Sequence, residues 1–143
     1  MANLRLLTTK GQIHKIGGLN WGSNIKNHTT PFDAYIPIHL DTLKANTNLF
    51  PPKSITQKVL KFTWDDTVVM QVIFEGTQML NGLTYPKQIS SYPSKRSLGI
   101  YFRKRLGVSS THIITLQDLI NYGRNDINLI KISDTEYQAD FHV

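Results

Sequence analysis

Apolar and polar residues alternate with a period of two in several short segments of the chain. Residues 58–64 carry every second side chain on an apolar face, which predicts a half-buried strand. The sequence Asp65-Asp66-Thr67 reads as a turn into a second strand over residues 68–74, so this region predicts a β-hairpin. A further strand is predicted at the end of the chain, with these residues on its apolar face: Tyr137, Ala139, Phe141 and Val143.

Turn signals add further strands to this pattern. Asn81-Gly82 is a strong signal for a tight hairpin turn between residues 79–80 and 83–85. Pro37 lies inside an apolar stretch at residues 35–39, and because proline cannot donate to a sheet it predicts an edge or irregular strand there.

Two short helices are expected in the second half of the chain. Ser97 is expected to cap a helix over residues 98–106, with Gly107 as its stop. Thr115 and Asp118 resemble a capping box that opens a helix over residues 116–122. Residues 1–143 are therefore predicted to form a single, mainly β domain with short helices, arranged as a barrel or barrel-like sheet.

Composition narrows the class of protein. The chain has 143 residues, 40% of them hydrophobic, which is enough for one domain with a real core. It contains no cysteine, which excludes disulfides and thiolate metal sites. Its apolar runs are too short to cross a membrane, and residues 1–8 lack the features of a signal peptide. We expect a soluble cytoplasmic protein with no membrane partner.

The charged residues are segregated along the chain. No Asp or Glu occurs in residues 1–32 (the first acid-free tract) or in residues 76–117 (the second acid-free tract), which together hold ten of the sixteen Lys and Arg residues. The remaining 69 residues hold six basic and all ten acidic residues. If the two tracts meet in the fold, they form a positive face that attracts a polyanion.

Catalytic chemistry is poorly represented. The five histidines lack metal-binding spacing, and Asp65 and Asp66 are better explained by a hairpin turn. Asp66 and Glu75 invite comparison with a metal-dependent nuclease site, but Thr77 stands where such a site needs a basic residue. We therefore predict no catalytic residue, no metal site and no cofactor.

Polar and basic residues suited to DNA are concentrated in two segments, residues 19–30 and 76–97. Amides can read base edges, lysines and arginine can contact phosphate or guanine, and hydroxyls suit phosphates. Each segment could also be an ordinary solvated loop. Asp33, just after the first segment, could accept from a cytosine amino group. The candidate DNA-binding residues are Trp21, Ser23, Asn24, Lys26, Asn27, His28, Asp33, Gln78, Lys87, Gln88, Ser90, Ser91, Tyr92, Ser94, Lys95 and Arg96.

Other basic residues are less specific. Residues 103–105 (Arg-Lys-Arg) spread around a helix, so one or two of them could face phosphate while another forms a structural ion pair. Arg124, beside Asp126, is expected to be structural.

Several segments in order resemble one protein family. The sequence LGIYFRKRLGV at residues 98–108, YGRND at 122–126 and YQADFHV at 137–143 are similar to the C-terminal part of NgoFVII/NgoAVII-type restriction endonucleases. LNWG at residues 19–22 and AYIPI at 34–38 add to this resemblance, which spans nearly the whole chain.

The resemblance implies a fold and a function. Such enzymes join a phospholipase-D-like nuclease half to a target-recognition domain, a B3-like open pseudobarrel of seven or eight strands with two short helices. That domain grips the major groove of double-stranded DNA with two arms, which would correspond here to residues 19–30 (the N-terminal arm) and to part of 76–97 (the C-terminal arm). The His-x-Lys motifs of the nuclease half are missing, so we expect a non-catalytic recognition domain whose partner is a nuclease domain of the same or a companion chain.

Two other functions remain open at this point. The chain could be a small metal-dependent nuclease in its own right. It could also be a barrel that binds single-stranded DNA or RNA, with Trp21, Tyr85, Tyr92 and Tyr101 as stacking platforms.

Overall fold

The computed structural model describes residues 1–24, 29–54 and 58–143. Within this part, seven strands form one sheet in the order β1 (Ala2–Arg5), β8 (Asp126–Ser133), β9 (Glu136–Asp140), β3 (Leu60–Trp64), β4 (Val69–Glu75), β7 (Gln88–Ser91) and β2 (Ile36–Pro37). β5 (Gln78–Leu80) and β6 (Leu83–Tyr85) form a separate hairpin.

The seven-stranded sheet is mixed and nearly closed. β3 and β9 pair in parallel, and the other neighbours are antiparallel. β1 and β2, at the two ends of the strand order, approach each other and leave one seam. The predicted mainly β, barrel-like fold is confirmed, and it has the form of an open pseudobarrel.

The predicted hairpins are confirmed. β3 pairs with β4 across the turn at Asp65 and Asp66. The β5–β6 turn has positive φ at both Asn81 (51°) and Gly82 (78°), the conformation for which Asn-Gly is preferred. Pro37 lies in β2 at an edge of the sheet, as expected.

The final strand is shorter than predicted. Tyr137, Ala139 and Phe141 are buried, but Val143 is 72% exposed because pairing in β9 ends at Asp140. The prediction for Val143 was therefore wrong. β1, β7 and β8 were not predicted.

Three α-helices and one 3₁₀ helix (Gly18–Ser23) occur in the described residues: α1 (Leu40–Ala45), α2 (Arg96–Leu106) and α3 (Leu116–Tyr122). The capping box of Thr115 and Asp118 and the left-handed stop at Gly107 are confirmed. Ser97 is not the cap of α2, which begins two residues earlier than predicted, with Lys95 at the N-cap. Instead, the Arg96 amide donates to the Ser94 hydroxyl (3.3 Å).

Helix α2 packs its apolar side onto the barrel core. The Tyr101 ring stacks on Trp64 with centroids 4.5 Å apart, and Phe102 meets Phe141 edge to face at 4.9 Å. Burying such aromatic rings is a dominant stabilising contribution in a domain of this size. This packing fixes α2, and with it the position of Arg96 at the start of the helix.

The helices of the described residues are too short, and too polar, to cross a lipid bilayer.

Candidate nucleic-acid interface

The two acid-free tracts meet beside the first half of α2. Just after the first tract, the Ala34 amide donates to the Lys95 carbonyl (3.2 Å), and Arg103, about two helical turns beyond Lys95, donates to the Leu19 carbonyl (3.5 Å). Gly99 presses directly against the backbone of Phe32, since a Cβ at Gly99 would lie 1.8 Å from the Phe32 oxygen. The two tracts therefore meet in the fold, as a shared basic face requires.

The 3₁₀ helix and the chain after the N-terminal arm close onto each other at Gly22. The Gly22 amide donates to the Asp33 carbonyl (2.8 Å), and a Cβ at Gly22 would lie 2.6 Å from the Phe32 nitrogen. Trp21 packs edge to face on Tyr35 with centroids 5.1 Å apart. Both ends of the N-terminal arm are thus fixed on the barrel. Lys26, Asn27 and His28 lie outside the described residues.

Asp33 is an internal partner of this loop. It is 7% exposed, and its carboxylate accepts from the Thr30 amide (2.9 Å) and the Thr30 hydroxyl (2.7 Å). Both oxygens are therefore engaged by Thr30, and in this structure the carboxylate shapes the loop instead of facing outward.

Lys95 connects the two tracts electrostatically. Its ammonium group lies 4.8 Å from the centroid of the Trp21 ring and 3.1 Å from a carboxylate oxygen of Glu75. Glu75 itself pairs with Gln88 across β4 and β7. Lys95 is therefore partly neutralised, and its contact with Trp21 holds the first tract against the second.

Several other bases of the two tracts have acidic partners in the fold. Arg5 pairs with Asp41, and Arg105 pairs with Asp65 and Asp66. Among the described residues, five bases of the tracts are exposed and form no ion pair: Lys10, Lys15, Lys87, Arg96 and Lys104. Fewer free cations therefore remain than the sequence count suggests.

Three predicted contact residues of the segment 76–97 are buried or hydrogen-bonded within the protein. Ser90 and Ser91 are 0% and 1% exposed. The Ser91 hydroxyl donates to the Ser94 carbonyl (2.6 Å) and accepts from the Leu98 amide (3.0 Å), so it holds the turn into α2. Gln78 donates to the Ile38 and Pro86 carbonyls (2.9 Å each) at the base of the β5–β6 hairpin.

The burial of Ser90 and Ser91 removes both hydroxyls from the surface, so we leave them out of the contact set proposed below. Half-buried or exposed candidates remain at the end of the 3₁₀ helix, at the start of β7 and around the start of α2: Ser23, Asn24, Lys87, Gln88, Tyr92, Ser94 and Arg96.

The three basic residues at 103–105 point to different sides of α2 and have different surroundings. Lys104 is exposed, Arg105 forms a structural ion pair as expected, and Arg103 is 5% exposed. Arg124, also as expected, is structural: it pairs with Asp126 (2.8 Å) and Asp140 (3.2 Å).

The structure adds a segment that the sequence did not single out. The side chain of buried Asn20 donates to the Ile114 carbonyl and accepts from the Ile114 amide, both at 2.8 Å. This pair of bonds joins residues 108–115 (the α2–α3 loop) to the 3₁₀ helix. The only feature of the sequence that could have indicated this contact is the amide side chain of Asn20 within the LNWG segment.

Asp65, Asp140 and His142 form the one group in the described residues with ligand atoms close enough to hold a metal ion. Asp65 is bound by Arg105, and Asp140 by Arg124 and His142. Burial raises the pKa of Asp140, but its hydrogen bonds with His142 and Arg124 outweigh this and keep that pKa below its ordinary value. These contacts neutralise the carboxylates, so we assign the group a structural role at the end of β9.

Comparison with known proteins identifies one family. The family described as NgoFVII C-terminal B3-like DNA-binding domain matches residues 1–133. No curated protein matches the chain.

Proposed function

We propose that this chain, which belongs to the family of NgoFVII C-terminal B3-like DNA-binding domains, recognises a specific sequence in double-stranded DNA without cutting it. The observation that carries this proposal is the junction of the two acid-free tracts beside α2. It joins the base of the N-terminal arm to the start of α2, where exposed cations lie among amides and hydroxyls. Cations attract any phosphate backbone, whereas amides distinguish base edges.

The remaining surface residues suggest a division of roles. Lys87, Ser94 and Arg96 are exposed and suit phosphate oxygens. Asn24 and Gln88 are half-buried, which favours oriented amides, and we propose them as base readers in the major groove. Lys26, Asn27 and His28 stay predictions for the N-terminal arm.

A DNA-binding domain of a restriction enzyme acts together with a cleaving activity. We propose that a phospholipase-D-like nuclease domain, in the same or a companion chain, is this partner. No His-x-Lys pair occurs in the sequence, and the carboxylate group around Asp140 is neutralised by arginines. Both observations support recognition without cleavage.

A barrel for single-stranded DNA or RNA is less well supported. Stacking platforms must expose a ring face, but Tyr85 and Tyr101 are only 8% and 7% exposed. Trp21 is half-buried, with Tyr35 packed edge to face on it and the Lys95 ammonium 4.8 Å from its ring centroid. Of the four aromatic residues considered, Tyr92 alone is largely exposed, at 45%.

Competition between duplex and single-stranded DNA tests the proposed partner. We expect a labelled duplex to be displaced by unlabelled duplex far more readily than by either separated strand, with affinity falling steeply as salt rises. Plasmid incubated with the protein and magnesium should stay intact. Stronger competition by single strands, or cleavage that EDTA abolishes, would contradict the proposal.

A further inference from the structure

A small notch lies between the base of the N-terminal arm and the α2–α3 loop. Gly22, Ser23 and Phe32 line it on one side, and Thr111 and His112 on the other, with Arg103 also in its wall. Its volume is about 140 Å³. This space is large enough for one tetrahedral oxyanion.

Arg103 is a buried cation without an acidic partner. It is 5% exposed, and no carboxylate of the described residues lies within ion-pair distance of its guanidinium group. Its hydrogen bonds go to three backbone carbonyls, those of His112 (2.9 Å), Gly99 (3.2 Å) and Leu19 (3.5 Å). Because the guanidinium group carries five N–H donors, two have no acceptor among the described residues.

A charge in this position is costly without an anion. Burial lowers the pKa of Arg103, but an arginine side chain stays protonated. The Phe32 ring, 5.9 Å from the guanidinium carbon, offers weak compensation. Buried charges normally have a counterion, so the missing partner points to a ligand that supplies negative charge.

The rest of the wall suits the same ligand. Thr111 is exposed and Ser23 half-exposed, and each hydroxyl can donate to a phosphate oxygen. His112 donates to the Asp118 carboxylate (2.6 Å), which also accepts from the Thr115 amide and hydroxyl. Asp118 is therefore already satisfied.

We propose that this notch binds one backbone phosphate of the DNA, next to the N-terminal arm and outside the contact set derived above. The proposal rests on the proposed function, because the same duplex must occupy the arms and the notch. Asn20 couples the two by fixing the α2–α3 loop to the 3₁₀ helix. The phosphate completes the coordination of Arg103 and accepts from Ser23 and Thr111.

The test combines Thr111→Val with phosphate neutralisation. Thr111→Val removes a hydroxyl at an exposed position and should leave the melting temperature unchanged. It should weaken binding of a duplex roughly 10-fold, the lower limit expected for one hydrogen bond to a charged group. The control is Thr135→Val, because this exposed threonine lies outside both acid-free tracts.

Duplexes with a single neutral methylphosphonate, scanned along both strands, then locate the phosphate. At one position the loss caused by Thr111→Val should disappear, because the contact is already absent. If the two losses multiply at every position while the wild type still depends on other phosphates, the notch proposal fails and the proposed function stands. If the wild type binds no duplex, both proposals fail.

Discussion

Gly99→Ala is expected to destabilise the protein by about 3 kcal/mol, the upper range for overpacking a well-packed site. The added Cβ would lie 1.8 Å from the Phe32 carbonyl oxygen and 2.9 Å from the Phe32 carbonyl carbon. Both atoms are backbone, so α2 and the residue 29–34 loop must separate. At an ordinary exposed helix position the same change stabilises by roughly 1 kcal/mol, so the sign of the effect is diagnostic.

Urea unfolding measures this change in the free energy of unfolding. Ser97→Ala, at an exposed position of the same helix, is the control and should be neutral or slightly stabilising. Folded Gly99→Ala should also bind DNA more weakly, because Phe32 closes the base of the N-terminal arm. A variant as stable as the wild type would show that α2 and this loop are not in close contact.

The double substitution Lys87→Gln and Arg96→Gln is expected to have the largest effect on DNA affinity. Both side chains are exposed and lack an ion pair among the described residues. If each contacts one phosphate, the slope of log K against log salt becomes shallower by about two units. At moderate salt the affinity should fall on the order of 10- to 100-fold, about equally for every sequence.

A matched control keeps the net charge equal. Lys61→Gln with Lys131→Gln also removes two positive charges, but Lys61 pairs with Glu136 and Lys131 with Asp134, outside both tracts. Exposed pairs of this kind contribute little to stability, so the control should fold normally. Equal loss of affinity in both double variants would mean that net charge, and not the proposed surface, governs binding.

The contrast between the chain and the fold is clearest for the charges. The acid-free tracts meet in space as expected, but acidic residues from the rest of the chain form ion pairs with basic residues of the second tract. Glu75 pairs with Lys95, and Asp65 and Asp66 pair with Arg105. A count along the sequence cannot register such pairs, because each joins residues at least 20 positions apart. Arg96, Lys87 and Lys104 are left as the exposed cations of the second tract.

Local signals predicted local structure well. The Asn81-Gly82 turn, the β3–β4 hairpin and the Thr115 capping box each depend on residues within a few positions of one another, and each is present. Strand β8 was missed because its outward residues Ile130 and Ile132 are apolar and exposed, which obscures the alternation.

Site residues were predicted less completely because their roles depend on distant partners. A serine is usually exposed, but Ser91 is buried since the start of α2 supplies its amide and carbonyl partners. The reverse holds for Arg103, which looks like a surface base in the sequence and lies buried among carbonyls of the 3₁₀ helix and the α2–α3 loop. The family resemblance predicts where the arms lie, but it does not distinguish such residues.

Selection from a randomised duplex pool tests the central claim, sequence-specific recognition of double-stranded DNA, most directly. Rounds of binding at moderate salt, followed by sequencing of the bound fraction, should enrich one short sequence. The enriched duplex should bind typically a thousandfold or more tighter than scrambled DNA. Enrichment of no sequence, with all duplexes bound alike, would contradict the account and leave a basic surface that binds polyanions without reading bases.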